Sequence, residues 1–349
     1  MRILGMNTTT FPTVLLAPSA DLARETLLRE RVLLTVEAEY GSYVAEGLAY
    51  TAAHHQPRGV KYAGTHVGGV MPSPCNDWSV PDITTLKDGE GGVILVSHLD
   101  LDTFGGCLRG LGADFADLFP SQDKPSLQAS NEVITKWVTW NLQLQHFWNL
   151  AEFIDVSGAH KLGLARERGA TLRSVDQLYA WWAWNKAHSA RTPRDVVTDV
   201  TDAVLAAGAA LRLILAGDAE MLEAGTAFRK DEAALNTRSF ARYSEAQGVI
   251  VRRVSTHKDF CNHLYTTPSE GEGTVAKAIA CLNTETGGIT ISLADPVPGV
   301  SCREIVQDLW GPEAGGHEGI AGSPRERRLT EDDLEAVVTV LSRKLATAG

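Results

Sequence analysis

Three side chains able to hold a cation, His98, Asp100 and Asp102, follow directly on the apolar run Val93-Ile94-Leu95-Val96, with Ser97 between run and ligands. Hard carboxylates beside an imidazole suit Mn2+, Mg2+, iron or Zn2+, and the donor mixture alone does not choose among them. Four consecutive β-favouring apolar residues predict a strand buried on both faces. Open α/β sheets bind their ligands at the carboxyl ends of such strands. Side chains two apart on an extended chain point the same way, so the three groups converge on one ion where the extended geometry persists through residue 102. The pair Gly105-Gly106 would then let the chain turn into the next element. The structural alternative is an acidic loop in which one Asp caps the following helix.

A second segment, Gly315-Gly316-His317-Glu318-Gly319-Ile320-Ala321-Gly322, places four glycines in eight residues around a single imidazole. Absent side chains allow close approach or positive φ, and exposed backbone N–H groups in such a loop suit an anion.

Together the two segments resemble the DHH phosphoesterase superfamily, whose first motif is a strand ending D/H-x-D-x-D-G and whose C-terminal domain carries a GGH-x-x-A-A-G loop. The likeness covers His98 to Gly106 and, in the C-terminal part, roughly residues 249–324, including the strand-like 288–293 and the helix-like 302–309. Thr103 stands where the first motif usually closes on Gly, Ile320 replaces the first Ala of the glycine loop, and no Asp-His-His follows the first motif. The resemblance implies metal-assisted hydrolysis of a phosphate ester, with Mn2+ as the ion and one or two ions bound. His98, Asp100, Asp102 and Asp155 are the expected catalytic ligands. Asp155 and His160, in the apolar run 150–160, are the candidates for the further Asp and His that the family sets around a binuclear site. Ala53-His54-His55-Gln56 is the one His-His in the chain, a candidate relocated metal-binding counterpart or two histidines in a turn. Gly315, Gly316 and His317, with Arg325 from the basic turn 323–328, are expected to hold the substrate's phosphate and not the metal; a solvated turn is the simpler account of the arginines. A non-hydrolytic nucleotide-binding sensor of the same fold, or a metal hydrolase acting on another bond, are the alternatives that the departures leave open.

Composition bounds the partners. A formal net charge of −11 opposes attraction to a long polyanion, because phosphate-backbone binding depends on Lys and Arg. A small phosphorylated substrate, such as a nucleotide or short oligonucleotide, is expected, and no long nucleic acid. No apolar run approaches the length of a membrane span and no signal-peptide pattern opens the chain, so the expectation is a cytoplasmic protein without a membrane partner; a homodimer is compatible with the sequence. Five scattered cysteines without a C-x-x-C pair read as reduced thiols. No G-x-S-x-G elbow, P-loop or dinucleotide fingerprint stands in a convincing setting.

The elements that must position these groups predict an α/β fold of two domains: a mainly parallel sheet flanked by helices, a helical connector and a smaller C-terminal α/β part. The boundaries expected are 1–205 for the metal-binding domain, 206–245 for the connector and 246–349 for the substrate-binding domain. Ser19 is expected to cap a first helix, and Thr330 a last one whose first turn is acidic. Residues 60–82 form a long loop that could serve as a lid. The aromatics of 136–154, with Trp181, Trp182 and Trp184, read as core. Asp195, Asp199 and Asp202 are spaced to share a solvated helical face. Arg252, Arg253, His257 and His263 flank a further candidate substrate wall.

Overall fold

The computed structural model describes residues 12–36, 38–40, 43–44, 61–63, 92–111, 117–120, 125–126, 128–157, 162, 170–189, 192–240, 244–246, 249–254, 277–324 and 326–348. The fold is α/β, and the chain divides into two compact units. The first comprises Met1–Glu39, Val44–Glu152 and Ala170–Gly225; the second comprises Tyr40–Tyr43, Phe153–Gly169 and Thr226–Gly349.

The chain opens with strand β1 (Thr13–Leu16), helix α1 (Ala20–Arg29) and strand β2 (Val32–Val36). Ser19 caps α1, its side chain accepting the Leu22 N–H at 3.4 Å. The two-residue strands β3 (Glu39–Tyr40) and β4 (Tyr43–Val44) pair with each other, and β5 (Lys61–Ala63) precedes β6 (Val93–Val96). Helices α2 (Leu101–Leu111), α3 (Asn131–Ser157) and α4 (Leu172–His188) follow, then β7 (Thr198–Asp199), α5 (Thr201–Ala216) and α6 (Ala219–Phe240). The first sheet has the order β5-β2-β6-β1-β7, parallel except for β7.

All four residues of β6 are buried, as a central parallel strand covered on both faces requires. Val96 sits beside Leu16 of β1 and Val36 of β2. Helix α2 lies close on this sheet because two glycines one turn apart face it. A Cβ at Gly106 would stand 2.5 Å from Cγ1 of Val36, and one at Gly110 2.7 Å from Cδ2 of Leu34. The glycine pair is therefore not a turn, as its sequence implies, but part of a helix whose register on β2 tolerates no side chain at 106. On its other side α2 presents Phe104, packed edge-on against Trp181 of α4 with ring centroids 5.4 Å apart. Phe147, Trp148, Trp181, Val204 and Leu211 complete this core, each large apolar side chain contributing about 1.5–3 kcal/mol on burial.

The second unit holds strands β8 (Ser244–Ala246), β9 (Val249–Val254), β10 (Ala278–Asn283) and β11 (Gly288–Leu293), helix α7 (Cys302–Trp310), strands β12 (Gly315–Gly316) and β13 (Ile320–Gly322), and helix α8 (Glu331–Ala348). The sheet order is β12-β13-β11-β10-β9-β8, with only β9 and β10 parallel. One face, carrying Val249, Val251, Ile289 and Ile291, packs on Ile305 and Val306 of α7 and Leu334 and Val337 of α8. The other carries Ile250, Ile279 and Cys281. Asp333 begins α8 by reaching back to accept from the N–H and hydroxyl of Thr330, both at 2.9 Å.

Several expected elements take another form. Residues 205–235 are not one helix, because Gly217, left-handed at φ 87°, ends α5 before α6 begins. Asp195, Asp199 and Asp202 do not share a helical face. Asp199 lies in β7 and accepts from the N–H and hydroxyl of Thr201 at 2.9 and 2.6 Å, and only Asp202 is in α5. On α3 the aromatics divide: Phe147 and Trp148 are buried, while Trp137 and Trp140 are half-buried. No helix among the described residues is long and apolar enough to cross a membrane.

Candidate metal centre

The strand carrying the expected ligands ends at Val96, and the chain does not stay extended through residue 102. It bends at Ser97 and enters α2 at Leu101. The reason is local. Asp100 occupies the helix cap: its carbonyl accepts the Phe104 N–H at 3.0 Å, and its Oδ1 accepts the Thr103 N–H at 3.2 Å. Thr103 reciprocates, its hydroxyl accepting the Asp100 N–H at 2.8 Å and donating to Asp100 Oδ1 at 2.9 Å. This is the reciprocal logic of a capping box, with a hydroxyl in place of the usual carboxylate. Asp100 thus takes the capping role and still contributes a carboxylate oxygen to an acidic cluster, and Asp102 is displayed from the first helical turn, not from an extended strand.

Asp155 arrives from a distant stretch of sequence. It stands in the last turn of α3, so the apolar run that carries it is helical. Asp100, Asp102 and Asp155 each offer one carboxylate oxygen, and the three oxygens lie within 4.8 Å of one another. That spacing compares with the ~4 Å that separates opposite oxygens around an ion bound at about 2.1 Å. Oδ2 of Asp102 and Oδ2 of Asp155 are shielded from water. Three carboxylates gathered in this way repel one another unless a cation or a shared proton intervenes. The donor set is hard and anionic, which fits a divalent ion of the Mg2+ or Mn2+ kind.

His98 adjoins this cluster as a partner of Asp100: its Nε2 lies 2.9 Å from Asp100 Oδ2. Its Nδ1 lies 2.7 Å from the hydroxyl of Ser97, a residue only 1% exposed. Desolvation alone would raise the Asp100 pKa. The electrostatic pull of His98, hydrogen bonds with Asp102 and His98, and the Thr103 amide outweigh it, holding Asp100 well below the usual carboxylate range. Asp100 is an anion at neutral pH, clamped on Oδ1 by Thr103 and on Oδ2 by His98.

In the second unit the glycine loop is a tight hairpin. Gly315 pairs with Gly322 and Gly316 with Ala321, and the His317 N–H donates to Ile320 O at 2.6 Å. The His317 amide is thus spent inside the hairpin instead of being offered to an anion. At φ 140°, Gly316 is in a region that favours glycine, and a Cβ there would meet Cα of Ala321 and the carbonyl oxygen of Ile320 at 2.5 Å. The turn is tied down on its far side: the Cys302 N–H donates to Glu318 O at 2.8 Å, and Gly319 O accepts the Leu293 N–H at 2.7 Å and the Ser292 hydroxyl at 2.9 Å. His317 is half-buried. Burial pushes the Cys302 thiol up to about 12.

Of the basic turn, Arg328 donates to the carbonyls of Glu285 and Thr284 at 2.7 and 2.9 Å, so it staples the β10–β11 turn. Arg252 is fully buried in β9. His54, His55, His160, Arg325, His257 and His263, with the lid segment 64–77, lie outside the described residues. Two contributors escape a reading by ligand type, Ser97 and Thr103. Thr103 carries a signal in its spacing, since Asp-x-x-Thr before a helix is a capping pattern; Ser97 carries none beyond adjacency.

No protein-family model matches the chain, and a search of curated proteins finds no similar sequence. Among solved structures, a pGpG-specific phosphodiesterase, PggH, from Vibrio cholerae aligns with a TM-score of 0.37 and 9% identity, covering 91% of this chain and 100% of that one. RecJ from Thermus thermophilus, in complex with Mg2+, aligns with a TM-score of 0.34 and 16% identity, covering 95% of this chain and 53% of that one, so the chain spans about half of RecJ.

Proposed function

We propose that this protein is a metal-dependent phosphoesterase of DHH type that hydrolyses a small phosphorylated substrate, such as a nucleotide or short oligonucleotide. The observation that carries the reading is the convergence of Asp100, Asp102 and Asp155 within 4.8 Å at the carboxyl end of a buried parallel strand. Asp100, Asp102 and Asp155 would hold the ion, with Nε2 of His98 as the adjoining nitrogen donor, and Mn2+ is the ion that the resemblance to the DHH superfamily favours. A divalent ion bound there supplies Lewis acidity toward a phosphoryl oxygen and brings the pKa of a coordinated water toward neutrality. The chain's own residues keep Asp100 ionised and the three carboxylates in place. Thr103 and His98 immobilise Asp100, the first turn of α2 orients Asp102, and the body of α3 fixes Asp155.

In the second unit the Gly315–Gly322 hairpin is the proposed holder of the substrate's anionic group, through the His317 side chain more than through its amide. The net charge of −11 supports a small substrate over a long polyanion.

Phosphate release from mononucleotides and sugar phosphates, and mononucleotide release from dinucleotides, measured with Mn2+ and again after chelation, test the reading. Release that needs the metal and disappears in Asp102→Ala is the expected outcome. Stoichiometric Mn2+ binding without turnover of any substrate would favour a nucleotide-binding sensor. Absence of both Mn2+ binding and turnover would overturn the metal centre itself.

A further inference from the structure

We infer that the Ser97 hydroxyl is a positioning residue for the metal centre, holding the His98 ring by Nδ1 so that Nε2 stays aimed at the carboxylate cluster. This rests on the proposed metal-dependent reading of the site. The observation is a chain of two contacts linking three residues within one bend: Ser97 Oγ to His98 Nδ1 at 2.7 Å, and His98 Nε2 to Asp100 Oδ2 at 2.9 Å.

Ser97 is the first residue after β6 and is 1% exposed, so its hydroxyl is fixed by the end of a strand whose four residues are all buried. The His98 side chain is 30% exposed. Without a hold on one nitrogen, an imidazole at a half-open bend rotates about χ2 between two broad wells. The hydroxyl suits this place because it both donates and accepts. A neutral ring carries one proton. While Nε2 donates that proton to Asp100 Oδ2, Nδ1 is an acceptor and the Ser97 hydroxyl donates to it. When the Nε2 lone pair faces a cation, the proton sits on Nδ1 and the Ser97 oxygen accepts. The same contact therefore survives both tautomers, with the hydroxyl hydrogen turning about the Cβ–Oγ bond. Metal-ligating histidines are generally held at their other nitrogen in this manner. A carboxylate at position 97 could only accept, and would add a fourth negative charge beside Asp100, Asp102 and Asp155.

The test is a set of variants of the full chain, Ser97→Ala, Ser97→Thr, His98→Ala and the double variant Ser97→Ala/His98→Ala, titrated with Mn2+ alone by calorimetry. Loss of a supporting partner of this kind weakens metal binding about 10- to 100-fold. That loss is expected in Ser97→Ala with unchanged circular dichroism, recovery is expected in Ser97→Thr, and Ser97→Ala should have no further effect once His98 is absent. A structural role for Ser97 would carry its full penalty into the His98→Ala background, and that result would overturn the inference. A metal-free readout keeps the inference separable from the metal centre: 15N shifts of His98, recorded at a pH at which the ring is neutral, should show in the wild type one tautomer, protonated at Nε2, and in Ser97→Ala a mixture. Wild-type protein that binds no Mn2+ while showing this tautomer switch would sink the metal-dependent reading and leave the Ser97–His98 hold standing. An unchanged tautomer and unchanged Mn2+ affinity in Ser97→Ala would sink the hold alone.

Discussion

The bend after β6 and the hairpin between β12 and β13 are both short connections that carry a histidine, yet they are built from opposite materials. The first is made by side chains. Ser97, His98, Asp100 and Thr103 hold one another through oxygen and nitrogen contacts of 2.7–3.2 Å. The second is made by backbone: a Cβ on Gly316 would stand 2.5 Å from Cα of Ala321 and the carbonyl oxygen of Ile320, and the turn is anchored through the carbonyls of Glu318, Gly319 and Ile320. A segment held by side chains can adjust charge and protonation without moving the chain, which suits cation binding. A segment held by backbone keeps its shape whatever its side chains do, which suits presentation of one imidazole, His317.

The largest expected effect lies in the first segment and falls on metal binding; Asp102→Ala should leave folding untouched, whereas Asp100→Ala also removes the cap of α2, at about 1 kcal/mol. Asp100→Ala and Asp102→Ala each remove a ligand and also relieve repulsion among the three carboxylates. Mn2+ affinity should fall by more than the roughly 100-fold that loss of a merely supporting partner costs, with metal-dependent turnover lost alongside. The urea midpoint of Asp102→Ala, measured without metal, should match or exceed that of the wild type. Calorimetry that finds wild-type Mn2+ affinity in both variants would remove the cluster from consideration.

The contrast also explains which parts of the molecule are legible in the sequence. The hydrophobic run of β6, the caps Ser19 and Thr330, strand β11 at Gly288–Leu293 and helix α7 from Cys302 follow local rules, and the structure has them where the sequence puts them. The helical setting of Asp102 does not follow such rules. Gly105 and Gly106 each disfavour a helix by about 1 kcal/mol relative to Ala, and the helix forms because the bare Cα of Gly106 lets it settle on Val36, a contact between residues far apart in sequence. Asp155 is likewise legible as an acid after an apolar run but not as a helix-borne partner of Asp100. That convergence depends on how the long α3 packs through Phe147 and Trp148. Ser97 and Thr103 are invisible to a search for ligands because neither is one; they act by holding one.

The next effect in size falls on the backbone-built hairpin. Gly316→Ala forces a side chain into a φ of 140° and against Ala321 and Ile320. Positive-φ strain alone costs about 1–3 kcal/mol, and the close approach adds to it, so urea denaturation should show a loss of about 2–3 kcal/mol. Mn2+ affinity should be unchanged. A loss below about 0.5 kcal/mol would mean that the turn relaxes and is not set by its glycine.

Between these lies Cys302, whose amide anchors the hairpin at Glu318 and whose thiol is raised to about 12. An unfolded thiol titrates near 8.5, so between about pH 8.5 and 12 the unfolded chain sheds a proton that the native state keeps. Stability from this group is therefore complete below that window and declines as pH rises through it. From pH 8 to pH 10 the decline amounts to about 2 kcal/mol. Cys302→Ala is less stable at pH 8 through lost packing, and its deficit relative to the wild type should narrow by that amount at pH 10. A deficit that stays constant across the two pH values would show that the thiol titrates in the folded protein near its ordinary value.

The smallest effect separates the two materials most finely, because it asks what one hydroxyl does in the side-chain segment. Thr103 is fully buried, and its hydroxyl serves the Asp100 N–H and Oδ1 at once. Thr103→Val keeps volume and branching while deleting both contacts. Losing a cap of this kind costs about 1 kcal/mol, which would be read as a modest fall in melting temperature. The same deletion frees Asp100 Oδ1 from its hydroxyl donor, leaving the Thr103 amide as its partner, so the carboxylate gains a degree of rotation that the metal must then restrict. Mn2+ affinity should drop by about tenfold, at the lower end of what supporting partners contribute, and Thr103→Ser should recover both properties. If Thr103→Val loses stability but binds Mn2+ like the wild type, Asp100 is held well enough by His98 and the Thr103 amide. The capping box then belongs to the helix alone, and the division between a segment built for charge and a segment built for shape would rest on the Ser97–His98–Asp100 contacts by themselves.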